Sequence, residues 1–160
     1  MFSAVQEQGR AALIPYITAG HPVGDSTATV LHALADSGAD LIELGLPFSD
    51  PLADGPTIQS SSFSSLQNGT KVENVLAELS LFRAEREIPV VLFTYLNPVL
   101  RYGLEDFLLD ATESGASGLL LTDLPVGADY GVERAVAESP LDFIRLVAPT
   151  TREERVPEIA

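Results

Sequence analysis

Three carboxylates follow one another closely in the stretch ELGLPFSDPLADGPTIQ, residues 43–59. Glu43 lies inside an apolar run that is typical of a buried strand, whereas Asp50 and Asp54 lie in the loop that comes next. An apolar environment raises the pKa of a carboxyl group and a solvated loop does not, so two such groups can divide the roles of general acid and general base. The pattern therefore indicates acid–base chemistry, provided that the side chains of Glu43 and Asp54 face one site.

Each of these residues also has a purely structural interpretation. A carboxylate within a strand can pair with a buried arginine, and an aspartate that precedes Gly-Pro, as Asp54 does, is a common turn residue. Tyr16 and Tyr95, which fall in apolar segments, can be ordinary core residues. Spacing alone therefore leaves both an enzymatic site and a structural role open.

The elements that would position these side chains are short apolar strands that alternate with helices. Pro56 suits the first turn of a helix, and Asn68-Gly69 suits its end. The strands are predicted at 11–20, 40–48, 88–98, 118–125 and 142–150. The helices are predicted at 25–37, with Asp25 as the cap, and at 56–68, 70–87, 104–114 and 130–139, with capping-box patterns at TKVE (70–73) and TREE (151–154).

The second, third and fourth predicted strands are nearly continuous apolar runs, which is typical of parallel strands that are covered on both faces. Strands and helices that alternate in this way form either an open doubly wound sheet or a (β/α)₈ barrel. In both architectures ligands bind at the carboxyl ends of the strands. The polar and aromatic residues predicted at those ends are Tyr16, Thr18, Glu43, Tyr95, Asn97, Asp123 and Thr150.

The composition limits the classes of partner. A net charge of −14 and a pI near 4.2 disfavour nucleic acid and anionic membranes. The longest apolar runs, such as VVLF and GLLL, are far shorter than the ~18 residues of a membrane span. The start, MFSAVQEQGR, lacks the basic and apolar regions of a signal peptide, and the absence of cysteine excludes disulfides and thiolate metal sites. We therefore expect a cytoplasmic protein.

Four segments of the chain carry a family resemblance. PYITAGHP (15–22), LIELGLPFSDPLADGPTIQ (41–59), PVVLFTYLNPVLRYG (89–103) and GLLLTDLPVGAD (118–129) resemble, in order and spacing, the alpha chain of tryptophan synthase. The resemblance implies an α/β fold of the parallel (β/α) barrel, or TIM, type. It also implies a lyase that cleaves indole-3-glycerol phosphate to indole and glyceraldehyde 3-phosphate by a retro-aldol step, with no metal or organic cofactor. Indole would then pass to a beta subunit that uses pyridoxal phosphate to make tryptophan.

The same resemblance implies roles for individual residues. Glu43 matches the acid and base at the indole carbon that is protonated, and Asp54 matches the carboxylate that takes up the indole N–H as positive charge develops. The residues that match the indole pocket are Tyr16, Phe93 and Tyr95. Those that match the face docking the beta subunit are Pro47, Asp50, Asn97, Asp123 and Pro125.

A complete barrel of this type needs about 250 residues. We therefore expect residues 1–160 to form a single partial barrel domain of about five strands, without the later loops that hold the substrate phosphate, and with impaired cleavage. One alternative is a non-catalytic module that docks and activates a pyridoxal-phosphate beta subunit. A doubly wound domain of flavodoxin or receiver type is disfavoured, because YITAGHP (16–22) contains neither an acidic cluster nor a phosphate loop.

Overall fold

Five parallel strands form one sheet, and their order in the sheet is their order in the chain. In the computed structural model, which describes residues 1–159, the strands are β1 (Tyr16–Thr18), β2 (Ile42–Gly45), β3 (Val90–Thr94), β4 (Gly118–Leu121) and β5 (Asp142–Ile144). A doubly wound sheet would reverse its strand order at a switch point. The sequential order therefore decides for a barrel-type sheet, and the predicted fold class is confirmed.

Most of the helices lie between consecutive strands, and the second, fourth, fifth, sixth and seventh of them in chain order contribute to the core on one face of the sheet. The helices are α1 (Phe2–Glu7), α2 (Thr27–Asp36), α3 (Pro56–Gln67), α4 (Val72–Glu85), α5 (Leu96–Tyr102), α6 (Leu104–Glu113), α7 (Tyr130–Glu138) and α8 (Val156–Ile159), with a 3₁₀ turn at Glu153–Arg155. None of the helices within residues 1–159 is long and apolar enough to cross a membrane.

Side chains that alternate along each strand separate a helix-covered face from an open, concave face. Ile42 and Leu44 of β2 are fully buried among helix residues, so Glu43 and Gly45 belong to the other face. The strand residues that form the core with the helices are Ile42, Leu44, Val90, Leu92, Leu119 and Leu121. The strand register places Tyr16 beside Glu43, and Glu43 beside Val91, in one row of the open face.

An ion pair fixes the chain at the amino end of the sheet. Arg10 donates from both terminal nitrogens to the carboxylate of Asp40, at 2.7 and 2.6 Å, and Leu13 N donates to the same group at 2.8 Å. These bonds lower the pKa of Asp40 to about 2. The segment before β1 is thereby joined to the loop before β2.

Local signals explain several helix ends. Pro56 occupies the first turn of α3, and Gly69, with φ of +80°, follows its last residues. Asp129 caps α7, because its carboxylate accepts from Gly131 N at 3.0 Å and Val132 N at 3.1 Å.

Other local predictions are wrong. Each strand is shorter than predicted, and α1 and α5 were not predicted at all. The caps predicted at Asp25, Thr70 and Thr151 do not form. The cap positions of α2, α4 and the 3₁₀ turn are occupied by Ser26, Lys71 and Arg152, none of which makes a side-chain cap bond. At α2 a tertiary contact takes the place of the cap, since Glu78 of α4 accepts from Ala28 N in the first turn. Thr151 Oγ1 instead accepts from Ala148 N, three residues before it.

Candidate active site

Glu43 lies in the middle of β2 on the open face, with Tyr16 of β1 and Val91 of β3 in register on either side. Desolvation by these surroundings raises the pKa of the Glu43 carboxyl group. Within residues 1–159 no lysine or arginine forms an ion pair with it. The alternative of a carboxylate neutralised by a buried arginine is therefore wrong for the described chain.

Tyr16 stands next to Glu43 and needs a glycine beneath it. A Cβ atom added at Gly45 would lie 2.1 Å from Tyr16 Oη, which is far inside van der Waals contact. The ring also packs edge-on against Phe93, with ring centres 5.3 Å apart. Gly45 and Phe93 together set where the phenol ring of Tyr16 lies on the open face.

Both carboxylates act on the Tyr16 phenol. Its pKa is raised first by burial and further by the negative charges of Asp54 and Glu43, while a hydrogen bond with Thr18 opposes the shift. The geometry agrees: Glu43 shares a register row with Tyr16, and Asp54 is bound by Tyr95, whose extended backbone continues the alternation of Val91 and Phe93 on the open face.

Asp54 lies in the loop between β2 and α3, and Tyr95 holds that loop. Tyr95 Oη donates to Asp54 Oδ2 at 3.0 Å and accepts from Ala53 N, also at 3.0 Å. The Gln59 side chain donates to the carbonyl oxygen of Asp54 at 2.9 Å. Burial and the bond to Asp54 both raise the pKa of Tyr95, so the phenol keeps the proton that it donates.

Aromatic rings surround the two carboxylates. Tyr16 and Phe93 contact each other, and Tyr95 lies just beyond the end of β3. Phe48 was not singled out from the sequence, yet its ring lies 5.2 Å from that of Tyr95. Its position as the last residue of the predicted strand, where ligands bind in such sheets, was the signal available for it.

The five residues predicted to dock a partner fall into two groups. Three of them, Pro47, Asp50 and Asn97, line one cavity of about 640 Å³ beside Lys71 and Arg101. The other two, Asp123 and Pro125, line a separate cavity of about 860 Å³ at the carboxyl ends of β4 and β5. The Asp123 carboxylate also accepts from Leu96 N at 2.7 Å, so it fixes the start of α5.

Three polar residues of α3 and its carboxyl end, Ser61, Ser65 and Asn68, form a seam of hydroxyl and amide side chains. Their contacts were not predicted, although the serine-rich patch SSSFSS (60–65) is visible in the sequence. Ser61 Oγ lies 2.7 Å from Thr18 Oγ1, and Ser65 Oγ donates to Ala19 O at 2.5 Å. Asn68 Nδ2 donates to the carbonyl oxygens of Gly20 and Pro22, at 3.0 Å each. The i, i+4, i+7 spacing of the seam residues places them on one helix face. The seam attaches α3 to the loop that follows β1.

Within residues 1–159 no group of three or more histidine, cysteine, aspartate or glutamate side chains is arranged to hold a metal ion.

Comparison with known proteins gives one consistent family. The sequence model described as tryptophan synthase alpha chain matches residues 2–160. The chain is 47% identical to the tryptophan synthase alpha chain of Synechococcus elongatus over 159 residues, which are 99% of this chain and 60% of that protein. It is 46% identical to that of Granulibacter bethesdensis over 160 residues, or 57% of that protein.

Solved structures agree with these relatives. The chain is similar to tryptophan synthase subunit alpha from Legionella pneumophila, with a TM-score of 0.90 and 42% identity, over 96% of this chain and 59% of that one. It is similar to a chain of the aminoacrylate-bound tryptophan synthase of M. tuberculosis, with a TM-score of 0.92 and 37% identity, over 99% and 64%. The chain thus spans about 60% of the length of the curated relatives that it matches.

Proposed function

This chain belongs to the tryptophan synthase alpha chain family, and we propose from that premise that its site serves the lyase step of tryptophan biosynthesis. The reaction is the retro-aldol cleavage of indole-3-glycerol phosphate to indole and glyceraldehyde 3-phosphate. The observation that supports it most is geometric: Glu43 lies beside Tyr16 in the strand register, and Tyr95 binds Asp54 through a 3.0 Å hydrogen bond. Two carboxylates at one aromatic-lined site are what this cleavage requires.

Glu43 is proposed as the acid and base. Its protonated carboxyl group delivers a proton to C3 of the indole ring, which leaves a carboxylate on Glu43 and a positive charge on the ring. That carboxylate then takes the proton of the glycerol hydroxyl next to the ring. As the aldehyde forms, the electrons of the carbon–carbon bond return to the ring and release neutral indole. The raised pKa of Glu43 favours the protonated form with which the cycle begins.

Asp54 is proposed as the anion that stabilises the charged ring. Protonation of C3 makes the indole N–H strongly acidic, so a carboxylate beside it lowers the energy of a charge that exists mainly in the transition state. Tyr95 supports this role by holding Asp54 through a 3.0 Å hydrogen bond. A carboxylate fixed before the substrate arrives needs no reorganisation during the reaction.

The aromatic residues are proposed as the indole-binding walls. Tyr16, Phe93 and Tyr95 offer flat apolar surfaces, and Phe48 extends the Tyr95 side of the site. Such walls favour an aromatic ligand and exclude water from Glu43. We also propose that residues 1–160 form one partial barrel domain, and that the loops for the substrate phosphate, expected after the seventh and eighth strands of such a barrel, lie outside these residues.

A second candidate function is the docking and activation of a pyridoxal-phosphate beta subunit. It is supported by the cavity that Pro47, Asp50 and Asn97 share, because Asp50 and Asn97 are exposed and polar groups around a concavity suit a protein partner, whereas Pro47 is buried. Some of the similar solved structures are of tryptophan synthase and not of an alpha subunit alone. Docking without cleavage would make this chain an activator.

One pair of assays separates the two candidates. The chain is incubated with indole-3-glycerol phosphate, and glyceraldehyde 3-phosphate is followed through a coupled dehydrogenase, in parallel with Glu43→Gln and with Glu87→Gln as the exposed control. We expect slow cleavage that Glu43→Gln abolishes and Glu87→Gln retains. Equal rates for the chain and for Glu43→Gln would contradict the role of Glu43.

The second assay adds a beta subunit and measures the conversion of serine and indole to tryptophan. Stimulation of that conversion, lost in Asp50→Ala, together with no cleavage by the chain, would favour the activator function over the lyase. Cleavage that depends on Glu43 would favour the lyase, whether or not the beta subunit is stimulated.

A further inference from the structure

Three hydroxyl groups connect the candidate site to the body of α3. Tyr16 Oη lies 3.4 Å from Thr18 Oγ1, which is the long contact of the series. Thr18 Oγ1 lies 2.7 Å from Ser61 Oγ, in a buried position. Ser61 Oγ then donates to the carbonyl oxygen of Ile58 at 2.9 Å.

The direction of this series follows from counting hydrogens. A hydroxyl has a single hydrogen to donate, and a backbone carbonyl can only accept. Because Ser61 uses its hydrogen on Ile58 O, the hydrogen between Thr18 and Ser61 must come from Thr18. Thr18 then has no second hydrogen to donate, so the hydrogen between Tyr16 Oη and Thr18 Oγ1 must come from Tyr16. The Tyr16 oxygen is left able only to accept from any further group.

The surroundings of Tyr16 restrict the ring as well as the hydroxyl. Gly45 lies directly beneath the hydroxyl, and Phe93 contacts the ring edge-on. Burial and the two nearby carboxylates raise the pKa of the phenol, so it retains its hydrogen at neutral pH. The acceptor side of Tyr16 is thus presented within the same group of residues as Glu43 and Asp54.

We propose that Ser61 and Thr18 are positioning residues that fix Tyr16 as a donor to Thr18 and hence as a hydrogen-bond acceptor toward the site. The group that Tyr16 would accept from is a donor on a bound aromatic ligand or the protonated carboxyl group of Glu43. The use of this acceptor for an indole ligand depends on the function proposed above, whereas the direction of the hydroxyl series does not.

Nuclear magnetic resonance tests the direction without any activity. The chain has four tyrosines, so labelling the phenol carbon that bears the hydroxyl gives four signals, and Tyr16→Phe identifies the one from Tyr16. We expect Ser61→Ala to shift the Tyr16 signal and its titration, because Thr18 is then free to turn its hydrogen elsewhere. Thr18→Val, which keeps the side-chain shape, should shift it in the same way.

Ser65→Ala is the matched control. Ser65 lies one turn further along α3, is fully buried and also loses one hydrogen bond to the loop after β1, but that bond goes to Ala19 O and not to Thr18. A general loosening of the loop would affect both serine variants equally. The proposal predicts a change of the Tyr16 signal with Ser61→Ala and Thr18→Val, and none with Ser65→Ala.

Binding of indole tests the use of the acceptor. Because the chain contains no tryptophan, indole fluorescence excited beyond the tyrosine band reports the ligand alone. We expect Ser61→Ala to weaken binding about fivefold, the effect of one lost hydrogen bond, and to have no further effect in the Tyr16→Phe background. If Ser61→Ala and Tyr16→Phe weakened indole binding additively in the double variant, the proposed action of Ser61 through Tyr16 would be overturned.

The outcomes separate this proposal from the proposed function. An unchanged Tyr16 signal in Ser61→Ala and Thr18→Val overturns the positioning role, whatever ligand binds. A changed signal, in a chain that shows no saturable indole binding, supports the positioning role and counts against the indole site. A changed signal together with coupled loss of indole binding supports both.

Discussion

The acidity of Glu43 is determined by its surroundings and not by a charged partner. The residue lies in the middle of a strand, between Tyr16 and Val91, and desolvation is what raises its pKa. A raised pKa increases the protonated fraction of this carboxyl group over that of an exposed glutamate at the same pH, and the protonated form is the one that can deliver a proton to carbon. The same desolvation has a consequence for stability.

Glu43→Gln is expected to stabilise the fold at neutral pH. A carboxyl group whose pKa is higher in the folded state than the unfolded value of 4.5 favours folding only while it is protonated, so this contribution is lost as pH rises through the folded pKa. The variant should therefore melt at a higher temperature than the parent chain at pH 7, and at nearly the same temperature below the unfolded pKa. Thermal unfolding monitored by circular dichroism measures both.

Glu87→Gln is the control for this comparison, because Glu87 is exposed and the substitution removes the same charge from a strongly acidic chain. Part of any rise in melting temperature caused by Glu43→Gln will also occur in Glu87→Gln, because both variants lose one negative charge. A melting temperature of Glu43→Gln that falls below that of Glu87→Gln at pH 7 would mean that the Glu43 carboxylate has a stabilising partner.

Tyr95→Phe is expected to loosen the loop that carries Asp54. The substitution removes the donor to Asp54 and the acceptor for Ala53 N, while the ring itself, 5% exposed, can stay in place. We expect a loss of about 1–2 kcal/mol in the free energy of unfolding in urea, together with weaker indole binding. Tyr130→Phe, at an 80% exposed position, is the control and should change neither quantity.

The residue types indicated candidates for the site, but their roles came from the family resemblance, since spacing alone left a structural interpretation open. Glu43 and Asp54 stand out, because a carboxylate in an apolar strand and another in a Gly-Pro turn are unusual in combination. The bond from Tyr95 to Asp54 could not be predicted, since it joins residues that are 41 positions apart. Nor could the need for Gly45 be recognised before Tyr16 was placed above it.

At the scale of elements, α5 shows where local patterns are insufficient. The sequence YLNP was assigned to the end of a strand, whereas Leu96 begins a helix directly after β3. The Asp123 carboxylate, from the loop after β4, accepts from Leu96 N and so satisfies an unpaired N–H at the helix start. Because that partner comes from a distant part of the chain, no window of sequence around Leu96 contains the signal.

A substitution of Thr70 distinguishes the capping box predicted at residues 70–73 from the unpartnered hydroxyl that the structure shows. According to the capping-box pattern TKVE, the Thr70 hydroxyl would stabilise the start of α4. In the structure Thr70 Oγ1 is buried without a hydrogen-bond partner, and Lys71 occupies the cap position. Thr70→Val should therefore leave the free energy of unfolding unchanged or raise it by up to about 1 kcal/mol. A loss of about 1 kcal/mol, the usual effect of removing a cap, would support the capping box instead.

Asp129→Ala is the companion variant for the Thr70 measurement. Asp129 accepts from two backbone N–H groups at the start of α7, so its removal should lower the free energy of unfolding by about 1 kcal/mol. Measuring both variants by urea unfolding shows that a lost cap is detectable in this chain.

The existence and order of the elements were more predictable than their ends. Apolar runs separated by glycine and proline located all five strands and most of the helices, because burial against helices requires such runs. The strand ends were wrong, since the polar segments that follow each strand leave the sheet to build the site. The loops before and after α3, for example, contact Tyr95 and the loop after β1.

At the scale of the whole molecule, the sequential parallel sheet is what brings the two carboxylates together. Glu43 comes from β2, Asp54 from the loop that follows it, and the aromatic residues from β1 and β3. In a sheet that curves toward a barrel, the open face is concave and its side chains converge. The strands that carry Tyr16, Glu43 and Phe93 are thus the first three of the sheet.

The central claim is that Glu43 and Asp54 act on one indole ring, and hydrogen exchange at indole C3 tests it most directly. Protonation of C3 followed by loss of the other proton replaces C3–H by C3–D in heavy water, and this step needs neither the glycerol nor the phosphate group. Incubation of indole with the chain in heavy water, followed by proton NMR of the C3–H signal, measures the exchange rate. We predict faster exchange with the chain than in its absence, a return to the background rate with Glu43→Gln, and a marked slowing with Asp54→Asn. Exchange at the background rate with the folded chain, or equal exchange with Glu43→Gln, would contradict the account.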